Sequence, residues 1–269
     1  MTRIITVANQ KGGVGKTTST VNLAAAIGQA GHSVLVIDMD PQGNASTALG
    51  ADHREGTPSV YEVLSGDLTL DDVIQECPDV AGLWTAPATI DLAGAEIELV
   101  AQVAREYRLA RAIDTLLGVR PFEYVFLDCP PSLGLLTLNG LVAAREVLLP
   151  IQCEYYALEG LSQLLRTIDM VRTHLNPNLT VSAILLTMYD GRTRLASQVA
   201  DEVRTHFGTT VLDTIIPRSV RVSEAPSHGQ SVLTYEPTSP GALAYREAAD
   251  QLIHIGEHAS TELSTDISS

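Results

Sequence analysis

Residues 9–18, Asn-Gln-Lys-Gly-Gly-Val-Gly-Lys-Thr-Thr, stand between the apolar run Arg3–Ala8 and the helix-period stretch Thr17–Ala30. This order constrains the fold more than any other feature of the chain. The apolar run, rich in Ile, Thr and Val, reads as a strand buried on both faces. Gly12, Gly13 and Gly15 let the backbone turn sharply with its N–H groups pointing inward. A helix opening directly behind them offers unpaired N–H donors and a partial positive charge to whatever the turn encloses. Strand, glycine turn and helix begin a βαβ unit, and together they form a cradle for phosphate oxygens.

The rest of the chain repeats the alternation. Ser33–Asp38, Leu83–Ala86, Tyr124–Asp128, Glu146–Ile151, Leu179–Leu186 and Val211–Ile216 read as further strands. Helical periodicity is predicted over Ser59–Leu64, Leu70–Gln75, Asp91–Val103, Glu106–Leu117, Ala157–Leu175, Leu195–Phe207 and Ser239–Glu257. Continuous apolar strands separated by helices imply an α/β fold: a doubly wound, mostly parallel sheet with helices on both faces. The chain has 269 residues, 45% of them hydrophobic, which suits one core. The expected organisation is a single domain over residues 1–256 followed by a flexible polar tail over 257–269. No apolar run reaches the roughly 18–20 residues that a bilayer demands, and the N-terminus does not resemble a signal peptide. Cys77, Cys129 and Cys153 form no CxxC pair. A reduced cytoplasmic protein that does not bind membranes is therefore expected.

Charge is informative in two ways. The formal net charge is −15, which argues against nucleic acid as a partner of the whole surface. It is unevenly spread, however: Asp40 to Asp128 holds sixteen acids against five Arg, whereas Thr187 to Val222 holds four acids against five Arg. The later segment is able to present a local basic face. The chain also has only two lysines, Lys11 and Lys16, both within the glycine segment. Lysine is a compact point charge where arginine is a planar fork, so the segment calls for a point charge in tight quarters.

The glycine segment departs from the strict GxxxxGK[ST] pattern, because Gln10 stands where the first Gly belongs; it reads KGGxGKTT with an extra Lys11. In such a loop Gly12, Gly13, Val14, Gly15, Lys16, Thr17 and Thr18 contact the phosphates. Lys16 reaches the β- and γ-oxygens, and the Thr17 hydroxyl ligates Mg²⁺. Tyr124-Val125-Phe126-Leu127-Asp128 is four apolar residues ending in an acid, the form of a strand whose terminal Asp holds Mg²⁺. Pro130-Pro131 then stiffens a loop suited to reporting loss of the γ-phosphate. Asp38-Met39-Asp40-Pro41-Gln42-Gly43-Asn44 places two more carboxylates at a strand end, on the ligand side of such a sheet.

These boxes resemble those of the ParA/MinD superfamily of deviant Walker A ATPases. The segments Gln152–Gly160, Leu186–Thr193, Ile216–Ser227 and Thr238–Ala242 resemble chromosomal, Soj-type ParA proteins, and the similarity runs from about Arg3 to about Ile255. The resemblance implies a slow ATPase that forms a homodimer around ATP, with Lys11 crossing to the second copy's nucleotide. It implies that Asp40 orients or activates the attacking water beside a Mg²⁺ held by Thr17, Asp40 and Asp128, with Asp38 behind them. It places Pro217, Arg218 and Ser219 at the adenine, where the family commonly has Asn at the position of Ser219. It assigns non-specific contacts with double-stranded DNA to Arg192, Arg218 and Arg221, with Arg194 as a further candidate. It also implies a ParB-type partner and a nucleoid-associated location. Three other readings stand beside chromosome or plasmid partition. A MinD-like membrane cycle needs a basic amphipathic C-terminal helix, and Gly256–Ser269 contains no Lys or Arg. A metal-cluster carrier needs paired cysteines. An orphan ATPase positioning another cargo has the same sequence signature.

Overall fold

The computed structural model describes residues 2–154 and 159–266, the side chains of 159–160 and 257–266 excepted. Its strands are β1 (Arg3–Val7), β2 (Val34–Asp38), β3 (Gln75–Glu76), β4 (Leu83–Ala86), β5 (Tyr124–Asp128), β6 (Glu146–Gln152), β7 (Thr180–Tyr189) and β8 (Val211–Pro217). Its α-helices are α1 (Lys16–Gln29), α2 (Asn44–Ala48), α3 (Val60–Ser65), α4 (Leu70–Val73), α5 (Leu92–Leu99), α6 (Arg108–Val119), α7 (Leu135–Ala143), α8 (Glu159–His174), α9 (Arg194–Phe207), α10 (Val220–Glu224), α11 (Val232–Tyr235) and α12 (Pro240–Asp266). Among the described residues the strands form one eight-stranded sheet in the order β3-β4-β2-β5-β1-β6-β7-β8. Every pairing is parallel except β3 with β4 at the edge.

Side chains alternate between the two sheet faces, and so divide the core in two. Leu35 and Ile37 of β2, Val125 and Leu127 of β5, and Val147 and Leu149 of β6 pack with helices α3, α5, α6, α7, α8 and α9. Val34 and Val36, Tyr124 and Phe126, and Leu148 pack on the opposite face with α1, α11 and α12. Both faces are covered, so the strands carry no polar stripe. Parallel pairing has a second consequence: it brings all the strand C-termini to one edge of the sheet. Val7 and Asp38 are both register partners of Asp128. The chain therefore leaves β1, β2 and β5 side by side, and the glycine segment, the Asp38–Asn44 box and the Pro130–Gly134 loop meet there.

The structure departs from the predicted elements where amphipathic periodicity is missing. Helix α7 was not predicted; Leu136, Thr137, Asn139, Gly140, Leu141 and Val142 are all buried, so no polar stripe marks it. The short helices α2, α10 and α11 were not predicted either. The predicted helix Leu70–Gln75 ends at Val73 and yields to β3, and the predicted helix Asp91–Val103 ends at Leu99, ahead of Ala104 with its positive φ of 51°. The start predicted for α8 at Ala157 lies outside the described residues. Helix α12 continues to Asp266, through much of the segment expected to be a polar tail.

Gly140 in α7 illustrates how tightly this core closes under the site. A Cβ there would lie 2.8 Å from the sulfur of Cys129, the residue after Asp128. Overpacking of this kind costs about 1–3 kcal/mol, so Gly140→Ala is expected to lower the urea midpoint accordingly. Gly118 in α6 has open space at the same position, and Gly118→Ala is expected to stabilise the chain by roughly 0.5–1 kcal/mol. Equal midpoints for the two variants would contradict this packing.

Candidate nucleotide site

The glycine segment is held by polar anchors from two neighbouring strands. Asn9 donates from Nδ2 to the Pro150 carbonyl of β6 at 2.7 Å and accepts the Lys11 N–H at 3.0 Å. The Thr187 hydroxyl of β7 donates to the Val14 carbonyl at 2.8 Å. Gly13 and Gly15 have φ of 74° and 88°, a left-handed backbone that favours glycine. Gly15 also caps α1 and brings no side chain to the free N–H groups of the first turn. Those donors stay available for an anion.

Lys16 opens α1 and is buried, its Nζ lying 3.4 Å from the Lys11 carbonyl. Burial pulls its pKa down, and the carboxylates of Asp128 and Asp40 oppose that shift. Three carboxylates surround the same edge. Asp38 is fully buried and accepts from Ser46 N at 2.9 Å, Ser46 Oγ at 2.7 Å and Asp40 N at 3.1 Å. Asp128 is also fully buried; its Oδ1 accepts from the Thr20 hydroxyl at 3.1 Å, and its Oδ2 has no hydrogen-bond partner. Burial raises the pKa of both acids, and each is raised further by an adjacent carboxylate. The hydroxyls of Thr17 and Thr20 partly offset this at Asp128. A bare, buried carboxylate oxygen beside two threonine hydroxyls is a hard donor set, which matches Mg²⁺. Asp40, also buried, uses Oδ1 to hold the Gln42 N–H at 3.0 Å.

Above this edge runs a cleft of about 680 Å³. Among the residues expected at the phosphates, Gly12, Gly13, Gly15, Lys16, Thr17, Thr18 and Asp40 line it. Val14 and Asp128 are buried and do not line it. Pro217, Arg218 and Ser219 do not line the cleft; its far end is formed instead by Met188, Ser223, Pro226, Ser227 and Gln230. The fold explains the difference, since the chain turns through α10 after β8 and returns over the cleft only at residues 223–230. The signal was present in part: Ser223–Ser227 lies in the matched Ile216–Ser227 segment, but nothing in the sequence showed which end turns inward. Met188 carries a positive φ of 52° and stands against Gly15.

Lys11 does not line this cleft either. Its Nζ lies 3.9 Å from Glu154 on the surface, and Arg218 reaches the same carboxylate at 3.2 Å. The other arginines expected at DNA are also paired. Arg192 makes two bonds to Asp190, at 2.8 and 2.7 Å, and Arg221 meets Glu224 at 3.0 Å.

Comparison with known proteins agrees with this geometry. The family profile described as AAA domain matches residues 2–181. The sporulation initiation inhibitor protein Soj of Bacillus subtilis is 50% identical over 94% of this chain and 98% of its own length. The chromosome partitioning protein ParA of Caulobacter vibrioides is 49% identical over 93% of this chain and 94% of its own. A structure named cobyrinic acid a,c-diamide synthase from Mycobacterium smegmatis, with bound ADP and magnesium, superposes with a TM-score of 0.83 at 42% identity, covering 96% of each chain. The cell division ATPase MinD of Pyrococcus furiosus superposes with a TM-score of 0.78 at 26% identity, over 95% of this chain and all of that one. The glycine cradle, the acid-ended strand and the near full-length similarity together make this chain a member of the Soj/ParA family of P-loop ATPases.

Proposed function

We propose that this chain is an ATP-operated dimerising switch for DNA partition. It binds Mg-ATP, pairs with a second copy around the nucleotide, holds DNA non-specifically, and hydrolyses ATP slowly until a ParB-type partner accelerates the step and resets it. The observation that carries the reading is the buried Asp128 Oδ2, which has no hydrogen-bond partner, on a carboxylate that interacts with Thr17 and Lys16, two residues that line the cleft. The partition names of relatives at 46–50% identity support the cellular role.

The residues divide the chemistry. The glycine-loop N–H groups and the N-terminus of α1 hold the phosphates, and Lys16 adds a compact charge to the β- and γ-oxygens. Thr17, Asp128 and Asp40 would hold Mg²⁺, and the ion would neutralise charge on the phosphate oxygens. Asp40 lines the cleft and orients the attacking water. Met188 and the 223–230 turn receive the base. Lys11, outside its own cleft, exchanges Glu154 for the nucleotide of a second copy. Arg192, Arg218 and Arg221 each exchange a surface carboxylate for a DNA phosphate, with Arg194 beside them. The ATP dimer doubles this set, which ties DNA affinity to nucleotide state. Among the described residues no helix is long and apolar enough to cross a membrane, and we place the protein in the cytoplasm on the nucleoid.

Three outcomes follow. Lys16→Ala is expected to abolish binding of a fluorescent ATP analogue. Asp40→Ala should retain that binding while its hydrolysis falls by about 2–3 orders of magnitude, the scale of losing a catalytic acid–base group, and should remain on DNA; unimpaired hydrolysis would refute the assigned role. With Mg-ATP, three arginines per protomer and two protomers predict a slope of log K against log salt of roughly −5. Filter binding between low and moderate salt measures it, and a slope unaffected by replacing all three arginines with Ala would remove them from the DNA surface.

A further inference from the structure

Helix α5 carries two apolar stripes, and only one is covered by this chain. Leu92, Ala95 and Leu99 face the core. Ile90, Ala93, Ile97 and Val100 form a second series, spaced by three, four and three residues. That interval lines one helical face and makes the seam of a coiled coil. The backbone is helical at Asp91 and Val100 as well, which extends the stripe past both ends of α5, and Ile90 stands in the turn that leads into it. This second stripe faces water: Ile90 is 61% exposed, Ile97 79%, Val100 60%, and the following Val103 89%. Isolated apolar residues on a surface are ordinary, but a contiguous stripe marks an interaction face.

The rim of the stripe is acidic. Asp91 and Glu98, both exposed, flank it. The nearby Arg105 is committed to Glu106 at 2.9 Å and to the Val100 carbonyl at 2.8 Å. An acidic rim repels DNA, which is itself an anion. It suits a basic partner. A symmetric contact with a second copy would press one acidic rim against another.

The stripe is also wired to the nucleotide site. Glu96 Oε1 accepts the Leu136 N–H at 3.4 Å, in the first turn of α7, where the helix N-terminus favours a carboxylate. The same carboxylate packs so closely on Gly134 that a Cβ there would overlap it. Gly134 ends the loop that starts after Asp128, and Pro131 of that loop lines the cleft.

We infer that the exposed α5 stripe is the docking surface for a basic amphipathic helix of another protein, and that Glu96 is the positioning residue through which docking reaches the nucleotide cleft. The apolar seam supplies affinity, while Lys or Arg on the partner's flanks sets orientation. This rests on the ATPase reading above and names the surface through which a partner acts.

The test uses the full chain with Mg-ATP and a labelled synthetic helical peptide, with Leu at the heptad seam and Lys on the flanks; a second peptide carries Glu for Lys. Fluorescence anisotropy should show saturable binding of the basic peptide, weakened about tenfold or more in the double variant Ile97→Ser, Val100→Ser and for the acidic peptide. The basic peptide should change wild-type hydrolysis by at least about twofold, a difference of roughly 0.4 kcal/mol in the barrier. Glu96→Ala should keep peptide affinity within about threefold but lose the hydrolysis response, and Glu96→Gln, which retains an acceptor for Leu136, should restore it. Equal affinity for both peptides, an unaffected double variant, or no binding at about 1 mM overturns the docking surface; a full response in Glu96→Ala overturns the role of Glu96. Wild-type hydrolysis without peptide binding sinks this inference alone, whereas absence of hydrolysis under every condition sinks the ATPase reading beneath it.

Discussion

The structure turns on two carboxylates placed where carboxylates are costly. Asp38 and Asp128 are register partners on adjacent parallel strands, both fully buried, with one oxygen of Asp128 unsatisfied. Burying an acid without full hydrogen bonding is unfavourable, and a second acid beside it makes matters worse. Such a pair persists only where a compensating charge belongs. Lys16, whose own charge is weakened by burial, supplies part of it, and Mg²⁺ would supply the rest. The surrounding hydrogen bonds from Ser46, Thr20 and the backbone of Asp40 hold the acids in position until it arrives.

The sheet order explains why this arrangement needs so few residues. Because β2, β5 and β1 are parallel neighbours, three segments remote in sequence end within one small region. The glycine loop then sits over the strand ends, tied to β6 by Asn9 and to β7 by Thr187. The residues proposed to bind phosphate and metal are thus fixed by the strand scaffold itself, and catalysis of phosphoryl transfer is mostly a matter of such positioning. Two contacts lie outside this scaffold: Glu96 packed on the loop that ends at Gly134, and the surface pair of Lys11 and Arg218 on Glu154.

Legibility in the sequence followed the strictness of the local chemistry. The glycine segment and the strand ending at Asp128 were readable because phosphate and metal binding tolerate few residue types at those spacings. The parallel sheet was readable because β1, β2, β5 and β6 are apolar on both faces. Helix α7 was not, since burial all round erases the periodicity that marks a helix. The far end of the cleft was harder to read for a different reason. Residues 217–219 follow the strand directly, but α10 carries the chain away and residues 223–230 return over the cleft, and no local pattern reports that path. The pairing of Arg192 with Asp190 and of Arg221 with Glu224 lay within three residues and was open to inspection, whereas that of Arg218 with Glu154 needed the fold.

The central claim is that a triphosphate held by the glycine loop is closed over by a second copy of the chain, with Lys11 bridging the two. Sedimentation equilibrium with a non-hydrolysable ATP analogue tests it most directly. The account predicts a monomer without Mg²⁺ and analogue, a dimer with both, and a Lys11→Ala chain that still binds the analogue yet stays monomeric. A wild-type chain that remains monomeric at saturating analogue and Mg²⁺, or a Lys11→Ala chain that dimerises as readily as wild type, would contradict it.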